Sequence, residues 1–254
     1  MNYFVSCLYG DAEKYRKIKD DIRLKEKDHL WILGDILDGN DDNPEACLEI
    51  LNDIMHAANV TLILGDHEYA RCMEFIMSHS NYAVQSWRNF SESLEISGAS
   101  FNEMADYFNE EERKKYFSYL VSCELSAVVP IGKRYFYIVH GKPTFYDPII
   151  FSEWQLSTCK DNPDLRKNAW TEISTDEIVL PFTNKTSNPM TGENTITIVG
   201  QMSASLASNM LGVECHGSSV FLANKTLAIG RTYTDEPIPV VGIDAAGFFI
   251  AGLY

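Results

Sequence analysis

Two apolar runs that break off at Gly-Asp constrain this chain more than any other feature. They are Leu30-Trp31-Ile32-Leu33-Gly34-Asp35-Ile36-Leu37-Asp38 and Val60-Thr61-Leu62-Ile63-Leu64-Gly65-Asp66-His67-Glu68. A short continuous apolar run bounded by glycine describes a strand buried on both faces, as in a parallel sheet covered by helices. Ligands of such sheets gather just beyond the carboxyl ends of the strands. Side by side, these two ends would bring together Asp35, Asp38, Asp66 and His67. Carboxylate and imidazole groups of this kind hold divalent cations or phosphoesters.

The surrounding pattern supports a parallel sheet. A first apolar strand is expected over 2–8, then an amphipathic helix over 12–23 with Tyr15, Ile18 and Ile22 at helical spacing. A second helix is expected over 44–57, opening at a proline, between the two Gly-Asp strands at 30–33 and 60–64. Strand, helix, strand, helix, strand implies parallel pairing with right-handed crossovers. Helices are expected through the middle, over 69–77, 82–94, 100–108 and 111–123, so that residues 69–123 read as a helical cap inserted in one domain of residues 1–254.

Strands return at 126–129 and 135–139 as a hairpin about Pro130-Ile131-Gly132-Lys133, the second ending in His140-Gly141. Residues 141–193 carry Pro143, Pro148, Pro163, Pro181 and Pro189 and are the least regular part. A strand at 195–199 ends in Gly200-Gln201, and 220–229, 240–243 and 248–253 read as late antiparallel strands. Five strand ends thus carry polar groups: Cys7 with Tyr9, Asp35 with Asp38, Asp66 with His67, His140, and Gln201.

Composition narrows the partners. A formal net charge of −15 on 254 residues argues against a nucleic-acid backbone as partner, since affinity for phosphate chains rests on clustered Lys and Arg. It leaves room for a small phosphorylated ligand held through metal ions. No apolar run approaches the roughly 18 residues that a membrane helix needs, and the first apolar segment is too short for a secretory signal. The six cysteines have no Cys-x-x-Cys spacing and read as buried thiols of a cytoplasmic protein rather than a disulfide framework or zinc ribbon.

The order of these strand ends resembles the calcineurin-like metallophosphoesterases, most closely bacterial members of the serine/threonine protein phosphatase branch. That family carries Asp-x-His, Gly-Asp-x-x-Asp-Arg-Gly, Gly-Asn-His-Glu, a strand-end His and Gly-His in this order. The similar segments here span residues 3–202. Gly34-Asp35-Ile36-Leu37-Asp38 and Gly65-Asp66-His67-Glu68 carry the likeness together, and neither would alone. The resemblance implies a four-layer α/β/β/α sandwich of two mixed sheets with a dinuclear metal site at their edges. It implies Asp35 as the bridging carboxylate, His67 as the group that protonates the leaving alkoxide, and Asp38 as its orienting partner. Metal ligands would be drawn from Asp35, Asp66, His140, Cys7, Gln201 and Tyr9.

Several positions depart from the family pattern. Cys7 stands where the family has aspartate, Tyr9 where it has histidine, Gly39 where it has a phosphate-binding arginine, Asp66 where it has asparagine, and Gln201 where it has histidine. Every ligand position keeps a donor atom, whereas Gly39 removes a bidentate phosphate clamp. The replacements also have plainer readings: Cys7 as an inert buried thiol, Tyr9 as a ring filling a vacated metal site, Asp66 as a turn or capping carboxylate, Gln201 as a loop amide. Glu68 reads as a helix-start carboxylate or a partner to a ligand rather than a ligand itself. Two metals clamp and activate hydroxide in such sites, so weakening one costs several kcal/mol of transition-state stabilisation.

The expectation is therefore a divergent phosphoester hydrolase with weakened metal binding, holding one or two Mn, Zn or Fe ions, or none. Its substrate would be a phosphorylated small molecule or a phosphoprotein. The alternatives are an inactive pseudophosphatase serving as a binding or regulatory module, and an interaction protein using the helical middle.

Overall fold

The computed structural model describes residues 1–37, 44–65, 67–68, 71, 109–124, 126–141, 195–203, 221–223, 226–231 and 236–254. The described elements run β1 (Asn2–Val5), α1 (Ala12–Ile22), β2 (His29–Leu33), α2 (Pro44–His56), β3 (Val60–Ile63), α3 (Glu110–Ser122), β4 (Ser126–Ile131) and β5 (Arg134–Val139). They continue with β6 (Thr195–Ser203), β7 (Phe221–Ala223), β8 (Thr226–Gly230), β9 (Pro239–Ile243) and β10 (Phe248–Leu253). The strands build two five-stranded sheets, ordered β10-β9-β1-β2-β3 and β4-β5-β6-β8-β7.

Both sheets are mixed, as the α/β reading requires. β1, β2 and β3 pair in parallel, with Tyr3 opposite Leu30 and Ile32 opposite Leu62, and β9 and β10 complete that sheet antiparallel. In the second sheet β5, β6 and β8 are parallel, flanked by antiparallel β4 and β7. The expectation of uniformly antiparallel late strands is therefore corrected at β8. The apolar run over 220–229 is two strands separated by residues 224 and 225, and its second arm lies parallel to β6, with Ile198 opposite Leu227.

The strands of the first sheet are apolar on both faces because each face meets a different core. Val5, Leu30, Ile32, Leu62 and Val240 face α1, α2 and α3, which contribute Tyr15, Ile18, Ile50, Leu51, Ile54, Phe117 and Leu120. Phe4, Leu33, Ile63, Val241 and Ile243 point the other way, against Phe136, Ile138, Ile198, Leu227 and Ile229 of the second sheet. Successive residues of one strand thus serve opposite layers, the period-2 logic of a strand. All three described helices lie on the outer face of the first sheet. The expected helices over 69–77, 82–94 and 100–108, residue 71 apart, lie outside the described residues, as does any helical layer on the far side of the second sheet.

Local signals set the helix limits. The Asp11 side chain accepts the N–H of Lys14 at 2.9 Å and caps α1, which ends at Arg23 in the left-handed region. Asn109 and Glu112 form a reciprocal capping box at the start of α3. The β4–β5 hairpin turns on Gly132 at φ 63°, a left-handed position that glycine adopts without a Cβ penalty.

Candidate active site at the joined strand ends

β1 ends at Val5, so Cys7 and Tyr9 lie in the turn that follows rather than on the strand. That turn stays paired with the turn after β2. Cys7 N–H donates to the Gly34 carbonyl at 3.1 Å, Tyr9 N–H to Asp35 at 2.8 Å, and Gly10 N–H to Ile36 at 2.9 Å. The pairing holds Cys7, Tyr9 and Asp35 at φ 54°, 47° and 56°, a left-handed conformation uncommon outside glycine, asparagine, aspartate and histidine. Such outliers persist only where surrounding structure over-determines them, and they concentrate at functional sites.

Four strands close on one another through three glycines. A Cβ on Gly34 would run into Gly65 and the His140 ring, and one on Gly65 into Asp35 and Glu68. A Cβ on Gly200 would meet the Leu33 carbonyl and Ser6. Gly34, Gly65 and Gly200 are thus the means by which β2, β3, β5 and β6 converge.

Asp35 and His140 form the centre. Both are buried, and His140 Nε2 lies 3.2 Å from Asp35 Oδ2. The other ring nitrogen, Nδ1, is 2.6 Å from the Leu33 carbonyl. A carbonyl oxygen only accepts, so Nδ1 carries its hydrogen. Nε2 then either holds a second proton and donates to Asp35, or aims its lone pair where the carboxylate aims its own. In the second state the pair converges on the position of a cation, and the Nδ1 hydrogen bond is the orienting contact that metal-binding histidines use.

Glu68 does more than begin a helix. Its Oε2 accepts N–H groups from Asp35 at 2.8 Å and Gly65 at 2.9 Å, and its Oε1 accepts from Ile36 at 2.9 Å and Leu37 at 3.0 Å. One buried carboxylate thereby ties the turn after β2 to the turn after β3. Burial, then the charge of Asp35, pushes its pKa up to about 7, while His67 and the N–H donors pull it back. Occupation of both oxygens by donors favours the ionised form.

The first-motif side looks different. Cys7 Sγ lies 3.4 Å from the Gly200 carbonyl and 3.9 Å from Asp35 Oδ2. Burial, followed by the charge of Asp35, pushes the thiol up to about 11. Cys7 therefore sits as a neutral donor, and it could become a ligand only as the thiolate that a bound cation favours. The Tyr9 ring stands edge-on to His67, with centroids 5.6 Å apart. Gln201 is not at a strand end: β6 continues to Ser203, with a register shift between Val199 and Ser203, and Gln201 N–H donates to the His140 carbonyl at 2.6 Å. Asp38, Gly39 and Asp66 lie outside the described residues.

Arg231 is the group that the sequence reading did not single out. It follows β8 directly, is 2% exposed, and reaches across to the first-motif turn. Its Nε donates to the Cys7 carbonyl at 2.8 Å, Nη2 to Leu8 at 3.2 Å and Nη1 to Glu236 at 3.3 Å. Its guanidinium carbon lies 5.3 Å from the Tyr9 ring centroid. A signal did exist in the sequence. Leu227-Ala228-Ile229-Gly230-Arg231 repeats the pattern of an apolar strand ending in glycine and a polar residue.

Among the described residues no group of three or more His, Cys, Asp and Glu side chains is arranged to hold a metal ion. Asp35 and His140 fit half of such a site, as a hard carboxylate and an imidazole of the right tautomer. The first-motif side, with a protonated thiol and an aromatic ring, fits it poorly.

A carboxylate and an imidazole are thus buried where the carboxyl ends of two mixed sheets meet in an α/β sandwich. The chain belongs to the calcineurin-like phosphoesterase family, whose model matches residues 3–197. Members of this family are phosphoester hydrolases and generally use divalent metal ions. A hypothetical protein from Pyrococcus horikoshii OT3 has a similar structure, at 15% identity and TM-score 0.53, over 100% of this chain and 89% of that one. So does a protein serine/threonine phosphatase from Saccharomyces cerevisiae, described as similar to human phosphatase PP5. It shares 12% identity at TM-score 0.51, over 99% of this chain and 77% of that one. At such identities these likenesses speak to the fold alone. A search of curated protein sequences finds no match.

Proposed function

We propose that this protein is a divergent, metal-dependent phosphomonoesterase of the serine/threonine phosphatase-like kind, with one well-formed metal position and a weakened second. The observation that carries the reading is the buried Asp35–His140 pair, at 3.2 Å, with the histidine tautomer fixed by Leu33. Asp35, His140 and Asp66 would hold a Mn, Zn or Fe ion. Such an ion lowers the pKa of bound water and neutralises charge on the phosphoryl oxygens.

The chain's own residues supply the rest. Glu68 fixes the backbone of Asp35 so that its carboxylate meets His140. His67, with Asp38 to orient it, is the proton donor to the leaving alkoxide. The substrate would be a phosphorylated small molecule or a phosphoprotein, without nucleic-acid or membrane partners. The acidic net charge of −15 argues against a nucleic-acid backbone. Six scattered cysteines without Cys-x-x-Cys spacing support a reducing, cytoplasmic setting.

Elemental analysis of the purified chain after manganese loading, followed by hydrolysis of a generic phosphomonoester, tests this. About one ion per chain is expected, with activity lost in Asp35→Asn. The rate should fall on the order of 10²–10⁴-fold in His67→Asn, the usual contribution of a general acid. Hydrolysis unaffected by Asp35→Asn would overturn the proposal.

A second reading, a pseudophosphatase that binds phosphorylated partners without turnover, is favoured by the first-motif side. There the Cys7 thiol faces the Gly200 carbonyl and Tyr9 packs on His67. Failure to take up any manganese or zinc would select it.

A further inference from the structure

We propose that Arg231 is the positioning residue for the Tyr9–His67 pair: a buried guanidinium from the second sheet fixes the first-motif turn of the first sheet and thereby sets where His67 stands. The geometry carries the inference. Three N–H groups of one rigid, planar fork reach three backbone carbonyls, at Cys7, Leu8 and Glu236. Two of these are consecutive residues of a turn whose neighbours Cys7 and Tyr9 are both left-handed. The same guanidinium faces the Tyr9 ring at 5.3 Å, and that ring meets His67 at 5.6 Å. The chain of contact is therefore guanidinium, ring, imidazole, and it crosses from one sheet to the other.

Chemistry favours arginine for this task. A guanidinium keeps its charge where burial pulls its pKa down, as it does here. Its fork satisfies adjacent carbonyls in a fixed plane, and it binds an aromatic face by cation–π attraction. An ammonium offers a point charge without that plane. Gly230 sets the entry of the side chain, because a Cβ there would collide with the Gly200 carbonyl. The strand can therefore run against β6 and deliver residue 231 into the turn.

The inference concerns the site of the proposed hydrolase, but it is tested without reference to turnover, so the two can fail separately. The readout is the imidazole C–H resonances of His67 at one fixed pH, in the whole chain, because a ring 5.6 Å away displaces them. Tyr9→Leu calibrates that displacement by removing the ring. Arg231→Met, which keeps bulk and apolar packing, is expected to move the His67 resonances most of the way to the Tyr9→Leu values with the circular dichroism unchanged. Arg231→Lys is expected to move them in the same direction, since charge without the planar fork does not hold the turn.

Chemical rescue separates positioning from bulk structure. In Arg231→Ala, millimolar guanidinium chloride should restore the wild-type His67 resonances, and potassium chloride should not. Wild-type resonances in a folded Arg231→Met or Arg231→Lys would overturn the proposal. Where those variants fail to fold, the wild-type protein decides. A nuclear Overhauser contact linking the Arg231 Nε hydrogen to the Tyr9 ring, and that ring to His67, supports it, and absence of either contact overturns it.

Discussion

Glu68 Oε2 accepts the backbone N–H of Asp35 at 2.8 Å, so the residue after Gly65-Asp66-His67 fixes the backbone of the aspartate in Gly34-Asp35-Ile36. Three more N–H groups share that carboxylate. Glu68→Gln keeps the shape but turns one oxygen into an amide that faces donors. Buried donors left unpaired cost about 1–3 kcal/mol each. The substitution should lower unfolding free energy by about 2–4 kcal/mol in urea titration. It should also abolish manganese uptake by releasing Asp35 from its turn.

The meeting of β2 and β3 predicts a sharp contrast between two glycines. Gly65→Ala would drive a methyl group into Asp35 and Glu68, whereas a Cβ on Gly247 meets nothing within 4 Å. Overpacking costs about 1–3 kcal/mol, and an open surface position stays within about 0.5 kcal/mol. Parallel urea unfolding of the two variants should reproduce that difference, and equal midpoints would remove the packing argument.

Much of this convergence is legible in the amino-acid order, because a run of apolar residues cut off by glycine marks both the strand and its end. Asp35, His67 and His140 follow from that rule. The apolar run carries the expected first strand through Cys7 to Leu8, three residues past Val5, because the left-handed turn at Cys7 and Tyr9 is imposed by hydrogen bonds to residues 34–36 after β2. Gln201 was misplaced to a strand end because the register shift in β6 depends on its partner β8 rather than on local sequence. Arg231 carried the same signature as the other ends. That signature is masked because the apolar run before it holds two strands that only sheet pairing separates.

Tyr15 gives the fold a pH dependence at the alkaline end. It is 2% exposed and donates to Asp53 at 2.6 Å. Burial, then the hydrogen bond and charge of Asp53, raise its pKa above the ordinary tyrosine value. The unfolded chain therefore releases the proton first, at about pH 10, while the folded chain keeps it. Stability conferred by this group is complete below that pH and falls above it, by up to about 1.4 kcal/mol per pH unit. Tyr15→Phe should flatten the decline between roughly pH 10 and pH 11 in chemical denaturation, at the cost of about 1 kcal/mol at neutral pH from the lost hydrogen bond.

Thr197 offers a gain instead of a loss. Its hydroxyl oxygen is buried in β6 with no hydrogen-bond partner among the described residues. Valine has the same branched shape without the polar atom, and valine suits a strand. Thr197→Val should raise unfolding free energy by about 1 kcal/mol or more, since an unsatisfied buried hydroxyl costs about 1–3 kcal/mol. Loss of stability on this change would mean that the hydroxyl is satisfied after all.

The left-handed backbone at residues 7 and 9 has a consequence for repair. That conformation suits aspartate and histidine better than cysteine and tyrosine, and aspartate and histidine are the residues that the resembled family carries there. The turn is therefore a mould that an aspartate and a histidine would fit. Cys7→Asp and Tyr9→His together would relax the main chain rather than strain it. An engineer installing that pair would be working with the grain of the fold.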